Sequence, residues 1–229
     1  MVRIKSYFTK FELALWGLSS LMIAVVFIIF DRTNYLTLAA SLVGVTSLIF
    51  NAKGNAIGQV LMIVFCLIYG YISFSFAYYG EMLTYIGMTM PMAVVALVSW
   101  LRNSYEGNKA EVRVNSISKK EIVFMCTLTA FVTAIFYYVL KYFNTANLLP
   151  STISVTTSFA AAYLTFRRSP YFALAYASND IVLIILWSLA SVQNAMYISV
   201  VVCFAAFLFN DYYGFINWMR IKKRQIETD

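Results

Sequence analysis

The 229-residue chain has no histidine and few charged residues. Histidine is the commonest general base and the commonest metal ligand, so its absence argues against both kinds of site. Charged residues make up 12% of the chain, whereas a soluble domain carries about 25%. The chain therefore has far more apolar surface than one soluble core needs.

The signatures of common enzyme families are absent as well. The sequence has no glycine-rich phosphate loop, no serine–histidine–aspartate set and no HExxH motif. Its three cysteines, Cys66, Cys126 and Cys203, each lie inside an apolar run, without zinc-ligand spacing or a plausible disulfide pair. We therefore predict a protein that is not an enzyme and that holds no metal ion and no cofactor.

Hydrophobic residues make up 62% of the chain and fall into long runs. Most of these runs approach the roughly 20 residues that a helix needs to cross a bilayer. The first run is too long for the apolar part of a signal peptide, and no cleavage site follows it. We predict an all-α membrane protein, embedded in the lipid bilayer by eight transmembrane helices: Phe11–Phe30, Tyr35–Phe50, Ala56–Tyr79, Met82–Leu101, Ile122–Phe143, Leu148–Phe166, Pro170–Ala190 and Ala195–Trp218.

The basic residues fall almost entirely on one side of the predicted spans. With the N-terminus inside, 15 of the 17 lysines and arginines lie in inside segments, and Arg32 and Lys141 lie outside. Positively charged loops mark the cytoplasmic side of a membrane protein. We therefore predict that both termini are cytoplasmic. The net charge of +7 is assigned to topology and lipid headgroups, and not to binding of nucleic acid.

Two sets of three spans resemble each other. The sequence VSWLRN, residues 98–103, closes the first set, and INWMRI, residues 216–221, closes the second. One span separates the sets, so they have the same orientation, which is a known transporter design. Alternatively, Trp-x-Arg only anchors helices at the membrane interface. We predict a parallel 3+1+3 repeat with one extra helix: 1–34 for the extra N-terminal helix, 35–103 for the first repeat, 104–147 for a basic linker and connecting helix, 148–221 for the second repeat and 222–229 for a cytoplasmic tail.

Two Asn–Asp pairs lie inside apolar spans, at 179–180 and 210–211. An ionisable residue at such a depth costs at least about 2.5–3.5 kcal/mol, so it needs a partner, a cavity or a proton. The two spans are sequential and antiparallel, and helical rise places both pairs at a similar depth in the bilayer. The pairs therefore predict one polar pocket between neighbouring helices.

Helical spacing adds further side chains to this pocket, because residues seven apart share a helical face. Carboxylates, amides, a phenol and an indole suit a ligand with a flat ring and a hydroxylated sugar, and a positively charged ring gains further. The alternative is that these polar groups only join helices by hydrogen bonds. The predicted site consists of Asn179, Asp180, Trp187, Asn210, Asp211, Tyr213 and Asn217, with Tyr69, Tyr85 and Thr89 of the first repeat on the opposite wall.

The stretches YASNDIVLIILW, FNDYYGFINWMR and PMAVVALVSWLRN, with the 3+1+3 arrangement, resemble the PnuC family of vitamin transporters. The resemblance covers the chain from about Tyr35 to Arg220. It implies a SWEET-like fold, a homotrimer and a location in the bacterial inner membrane. It also implies facilitated diffusion of nicotinamide riboside, with a cytosolic nicotinamide riboside kinase that traps the product as a phosphate. The ligand contacts that it implies are Asn179, Asp180, Trp187, Asn210 and Tyr213.

Three other functions stay open from the sequence. The first is a proton-coupled transporter with Asp180 or Asp211 as the proton carrier. The second is a PnuC-like carrier of thiamine, riboflavin or another nucleoside. The third is a membrane enzyme with two catalytic aspartates, for which no accompanying motif is present.

Overall fold

The computed structural model describes residues 7–75, 79–106 and 108–228 of the chain. In this part of the chain, seven helices are long and apolar enough to cross a membrane. An eighth long helix, Leu148–Phe166, is not among them, because it carries seven serine and threonine residues. The prediction of an all-α membrane protein is confirmed in this coarse form. The helices are α1 Lys10–Phe30, α2 Tyr35–Ala52, α3 Ile57–Ser75, α4 Tyr79–Arg102, α5 Lys119–Tyr142, α6 Leu148–Phe166, α7 Phe172–Ser191 and α8 Ile198–Thr228.

Two helix boundaries differ from those expected from the sequence. Tyr79 begins α4 and does not end the third span, whose predicted residues 76–78 lie outside the described part of the chain. Helix α8 continues to Thr228, so the predicted tail at 222–229 is helical as far as it is described. Lysine, arginine, glutamine and glutamate are good helix formers, which explains why α8 continues beyond its apolar stretch.

The linker between α4 and α5 contains a two-stranded antiparallel hairpin, β1 Ser104–Tyr105 and β2 Asn108–Val112. The sequence analysis did not predict this hairpin, which lies outside the helical bundle of the prediction. A five-residue polar strand has too few residues for a clear alternating pattern, and contacts with α8 hold it. Arg224 forms an ion pair with Glu111, and Gln225 Nε2 donates to the carbonyl of Val112 at 3.1 Å.

Polar caps begin α1 and α5. The Thr9 hydroxyl accepts from the backbone N–H of Glu12 at 3.2 Å, and the Glu12 carboxylate accepts from the backbone N–H of Thr9 at 2.7 Å. This reciprocal pair is a capping box. The Ser118 hydroxyl accepts from the backbone N–H of Glu121 in the same way. The cap also orients Glu12 toward Lys53, whose Nζ donates to it at 3.0 Å, so α1 is tied to the turn after α2.

The first helices of the two predicted repeats end in equivalent turns. Gly54 after α2 has a φ of +65°, and Arg168 after α6 has a φ of +55°. The linker binds both turns: the Val112 N–H donates to the Gly54 carbonyl at 2.9 Å, and the Asn115 N–H donates to the Arg168 carbonyl at 3.0 Å. We call the side of the molecule that holds these turns the basic face, because Lys53 and Arg167–Arg168 lie there.

The two Trp-x-Arg motifs also make equivalent contacts at the basic face. Trp100 Nε1 donates to the carbonyl of Thr165 at 2.8 Å, and Trp218 Nε1 donates to the carbonyl of Asn51 at 2.7 Å. Thr165 and Asn51 are each the last residue but one of the first helix in the other predicted repeat. The two indole rings pack together with centroids 5.4 Å apart. Each predicted repeat therefore closes on the other through a buried tryptophan.

The largest apolar core lies between α2, α3, α7 and α8. Phe65 and Phe207 pack at its centre with ring centroids 6.2 Å apart. Gly44 of α2 allows this packing, because a Cβ at that position would lie 2.4 Å from Phe207. By contrast, α1 and α5 present most of their large apolar side chains outward. These two helices therefore have the surface that lipid or another subunit covers in a membrane protein.

Candidate functional site

Helices α7 and α8 bring the two predicted aspartates together. Asp180 and Asp211 are 4% and 5% exposed, and their carboxyl groups lie within hydrogen-bonding reach of each other. Two carboxylates have no hydrogen-bond donor between them, so a direct hydrogen bond between these groups would need a proton on one of them. Asp180 Oδ2 has no hydrogen-bond partner among the described residues. The pair is therefore a buried acidic site with one free oxygen.

The two asparagines beside these aspartates bind neighbouring helices. Asn179 Oδ1 accepts from the hydroxyl of Thr157 at 2.8 Å and from that of Ser154 at 3.2 Å, which joins α7 to α6. Asn210 Nδ2 donates to the hydroxyl of Ser19 at 2.9 Å, which joins α8 to α1. Asn210 Oδ1 is buried without a partner in the described part of the chain. Both asparagines thus make the interhelical hydrogen bonds that polar residues form in membranes.

Trp187 lies seven residues beyond Asp180 on α7, or about 10 Å along the helix, away from the basic face. Its ring contacts that of Tyr197 with centroids 5.2 Å apart, and its Nε1 is buried with no hydrogen-bond partner among the described residues. A chamber of about 240 Å³ lies beside this indole. Its lining consists of Tyr79, Glu81, Phe143, the loop 144–147, Leu186, Trp187, Ala190 and Tyr197.

The three predicted residues of the first repeat lie near this chamber. Tyr69 lines a second chamber of about 50 Å³ with Trp187, and Tyr85 and Thr89 line a third of about 20 Å³. The rings of Tyr69 and Tyr85 are 4.5 Å apart. Residues 84–89 form a π-helical turn of α4, in which the Thr89 hydroxyl donates to the carbonyl of Thr84 at 3.1 Å. Such turns are frequent at functional sites.

Two acidic residues of these chambers were not predicted as site residues. Glu81 lines all three chambers, and Asp31 lines the second. The sequence placed both at helix ends and therefore outside the pocket. Burial raises the pKa of Asp31, although the Asn34 backbone N–H donates to its carboxylate. The sequence could have indicated Glu81 as a site residue by its spacing from Tyr85, because residues four apart share a helical face.

Tyr213 and Asn217 lie at the basic face, away from the chambers. The Tyr213 hydroxyl donates to Glu12 at 2.9 Å, and Asn217 Nδ2 donates to the carbonyl of Ala52 at 2.8 Å. Both residues line an open cleft of about 730 Å³. The ten predicted residues therefore occupy three levels: Trp187, Tyr69, Tyr85 and Thr89 at the chambers, Asn179, Asp180, Asn210 and Asp211 in the middle, and Tyr213 and Asn217 at the basic face.

The chambers combine aromatic rings with carboxylates. No lysine or arginine of the described chain lines any of the three. Aromatic faces and carboxylates both attract a positively charged ring. Within the described residues, no group of three histidine, cysteine or acidic side chains is arranged to hold a metal ion. The arrangement suits recognition of a flat organic cation.

Comparison with known proteins assigns the chain to a family. The sequence profile of the nicotinamide mononucleotide transporter family matches residues 34–220, which is most of the chain. The chain belongs to this family. Its members are membrane transporters, so the chain moves a solute across a membrane and is not an enzyme. Family membership thus confirms the prediction that the chain is a transporter.

Members of this family with curated names are similar over most of their length. The nicotinamide riboside transporter PnuC of Neisseria mucosa is 24% identical over 220 residues, which are 94% of this chain and 83% of the relative. The transporter of the same name from Haemophilus influenzae is 21% identical over 192 residues, which are 83% and 82% of the two chains. A crystal structure of the vitamin B3 transporter PnuC has the same fold, with a TM-score of 0.82 and 23% identity over 95% of this chain and 94% of that one. The resemblance to the PnuC family is confirmed.

Proposed function

We propose that the chain carries nicotinamide riboside across the bacterial inner membrane by facilitated diffusion. Two relatives in the family are named for this solute. The observation that carries the proposal is the chamber beside Trp187, which has aromatic rings, a carboxylate and no lysine or arginine in its lining. Its volume of about 240 Å³ is close to the lower end of small-molecule pockets, roughly 300 Å³.

The chemistry of nicotinamide riboside matches this chamber. Its pyridinium ring is flat and positively charged, and its ribose carries three hydroxyls. The Trp187 indole offers a face for stacking and a free N–H for the ligand's amide oxygen. The free oxygen of Asp180 lies outside the chamber lining, about 10 Å further along α7, and offers an acceptor for a ribose hydroxyl once the solute moves toward the basic face. The substrate residues we propose are Trp187, Tyr69, Tyr85, Thr89 and the Asp180–Asp211 pair, with the remaining predicted residues Asn179, Asn210, Tyr213 and Asn217 along the path to the basic face.

For the mechanism we propose alternating access between two parallel three-helix repeats in a SWEET-like 3+1+3 arrangement. The equivalent turns at Gly54 and Arg168 and the exchanged contacts of Trp100 and Trp218 support this repeat. The aromatic core around Phe207 separates the chambers from the cleft at the basic face, so it is the barrier that must move during transport.

The orientation and the assembly also belong to the proposal. The basic face is cytoplasmic, with both termini there, because basic loops lie on the cytoplasmic side. The largely unburied helix α5 provides apolar surface for contacts in a homotrimer. A cytosolic nicotinamide riboside kinase traps the arriving solute as a phosphate, so net uptake needs no ion gradient. We also propose that the domains of the chain end at residues 34, 103, 147 and 221.

A second candidate function is proton-coupled transport. Asp180 and Asp211 are buried side by side, and in this histidine-free chain the pair is the natural proton carrier. A carrier of this kind takes a proton and solute together on one side of the membrane and releases both on the other side. The two candidates differ in whether a proton gradient drives accumulation.

The test is uptake of radiolabelled nicotinamide riboside into liposomes that contain the purified protein. We expect the internal concentration to reach the external one and to stop there, with or without a proton gradient. Enclosing the kinase and ATP should raise the total label inside. Competition with unlabelled thiamine, riboflavin and uridine identifies the preferred solute. Accumulation above the external concentration under a proton gradient alone would favour the proton-coupled carrier.

A further inference from the structure

Glu81 has an unusual position for an acidic side chain in this chain. It lies in the first turn of α4, and it lines all three chambers, of which Trp187 lines two. It is half-buried, and it forms no ion pair or hydrogen bond with any other described residue. A carboxylate that is partly removed from water and has no cationic partner is costly unless a ligand supplies the positive charge or the group takes up a proton.

The other acidic residues of the described chain differ from Glu81. Glu12, Glu111 and Glu121 each form an ion pair with a lysine or arginine near the basic face. Asp180 and Asp211 contact each other and line none of the three chambers. Asp31 lines one chamber and accepts a hydrogen bond from the Asn34 backbone. Glu81 is therefore the carboxylate that the chambers share.

The rings around Glu81 are placed to hold a flat cation against it. Trp187 and Tyr197 line the first two chambers together with Glu81, and their ring centroids are 5.2 Å apart. Tyr69 lines the second chamber and Tyr85 the third, and their ring centroids are 4.5 Å apart. Aromatic faces strengthen the binding of an organic cation, and a carboxylate strengthens it further.

We infer that Glu81 is the counter-charge for the pyridinium ring and makes the transporter select a cation over a neutral solute of the same shape. This inference rests on the proposed function, since it assigns the charge preference of the same site. It predicts that discrimination depends on the charge at position 81 and not on its hydrogen bonding. Glutamine at this position keeps the shape of the side chain and removes the charge.

The experiment compares nicotinamide riboside with its reduced form, in which the ring is a neutral dihydropyridine and the ribose and amide are unchanged. Binding of both is measured by titration of the detergent-purified protein. The wild type is expected to bind the cation more tightly. Glu81→Gln is expected to weaken binding of the cation about 30-fold, the loss expected when one member of a desolvated charge pair is removed, and to leave binding of the neutral form unchanged.

Two further variants make the result specific. Glu81→Asp keeps the charge and is expected to keep the preference for the cation. Glu106→Gln removes a charge from the exposed turn of the hairpin and is expected to leave both affinities unchanged. Melting temperatures of all variants show whether each one folds. The wild-type preference itself does not depend on any variant, so equal wild-type affinities for the two forms would overturn the inference.

The remaining outcomes separate this inference from the proposed function. If the wild type binds neither form, the proposed substrate is wrong and the inference falls with it. If the wild type prefers the cation and Glu81→Gln weakens both forms equally, the substrate stands and Glu81 has a structural role. If Glu81→Gln keeps the full preference, another group supplies the negative charge.

Discussion

The four tryptophans of the chain show how surroundings assign different roles to one side chain. Trp100 and Trp218 are buried, and each indole N–H donates to a backbone carbonyl. Trp16 donates to the hydroxyl of Thr46 at an exposed position. Trp187 is buried too, yet its N–H has no partner among the described residues. A buried donor without a partner costs about 1–3 kcal/mol, so a ligand acceptor at Trp187 recovers that energy.

Replacing Trp187 with phenylalanine tests this assignment. The ring is kept for stacking and the N–H is lost, so we expect roughly two- to tenfold weaker binding of nicotinamide riboside. The melting temperature should stay near that of the wild type, because no hydrogen bond to a described residue is broken. Titration and thermal melting of the purified variant measure the two quantities. Trp16→Phe is the matched control and should bind normally. Normal affinity of Trp187→Phe would exclude the indole N–H as a ligand contact.

Asn210, unlike Trp187, is expected to stabilise the fold. Its Nδ2 donates to Ser19 at 2.9 Å and to the carbonyl of Ala206 at 2.8 Å. We expect Asn210→Ala to lower the free energy of unfolding by about 1–3 kcal/mol, since polar partners on α1 and α8 lose a buried hydrogen bond. Chemical denaturation in detergent, with Gln193→Ala in the exposed turn between α7 and α8 as the control, measures this loss. Unchanged stability together with weaker ligand binding would instead place the amide in the substrate site.

At the scale of the helices, equivalent ends tie the two predicted repeats together. Gly54 and Arg168 follow α2 and α6 with left-handed backbone, and the linker binds the carbonyl of each. Glycine adopts this conformation without strain, whereas arginine adopts it at a cost. The two turns have the same backbone geometry although their residues differ. The linker contact and the helix end, and not the residue type, therefore determine the turn.

The tryptophans at the helix ends give a quantitative test of the repeat. Trp100→Phe and Trp218→Phe each remove the indole donor to a buried backbone carbonyl, of Thr165 or Asn51, which keeps only its backbone donor in the following turn. We expect each variant to lose about 0.5–1.5 kcal/mol of stability, or roughly 1–6 °C in Tm, with similar values for the two. Affinity for nicotinamide riboside should be unchanged. Tyr138→Phe on the outward surface of α5 is the control. Strongly unequal losses would argue against equivalent roles in two repeats.

At the scale of the whole molecule, positive and negative charge lie at opposite ends. The basic turns, the hairpin and the end of α8 form the basic face, and the acidic chambers lie at the opposite end of α7. Positive charge near the cytoplasmic leaflet is stabilised by anionic lipids. An acidic entrance on the other side raises the local concentration of a cationic solute. The two faces therefore suit uptake of a cation from outside.

Topology mapping tests this orientation. Green fluorescent protein fused after residue 229 should fluoresce, because it folds in the cytoplasm, and alkaline phosphatase at the same site should be inactive. Alkaline phosphatase inserted in the loop 144–147 should be active, because that loop lines the chamber on the opposite face. Cell fluorescence and phosphatase activity are the two readouts. An active phosphatase at the C-terminus would reverse the proposed direction of the basic face.

The sequence by itself determined the membrane class, the approximate spans and the distribution of basic residues, because lipid requires long apolar helices whatever their packing. It also identified the Asn–Asp pairs, since polar groups in such runs are rare. Only the tertiary structure decided which partners these groups have. Asn179 and Asp180 are adjacent, yet one contacts α6 and the other contacts α8, because successive helical residues point about 100° apart. Glu81 lies near a helix end in the sequence, but that position does not determine its surroundings. The rotation and packing of α4 determine them, and they turn Glu81 toward the chambers.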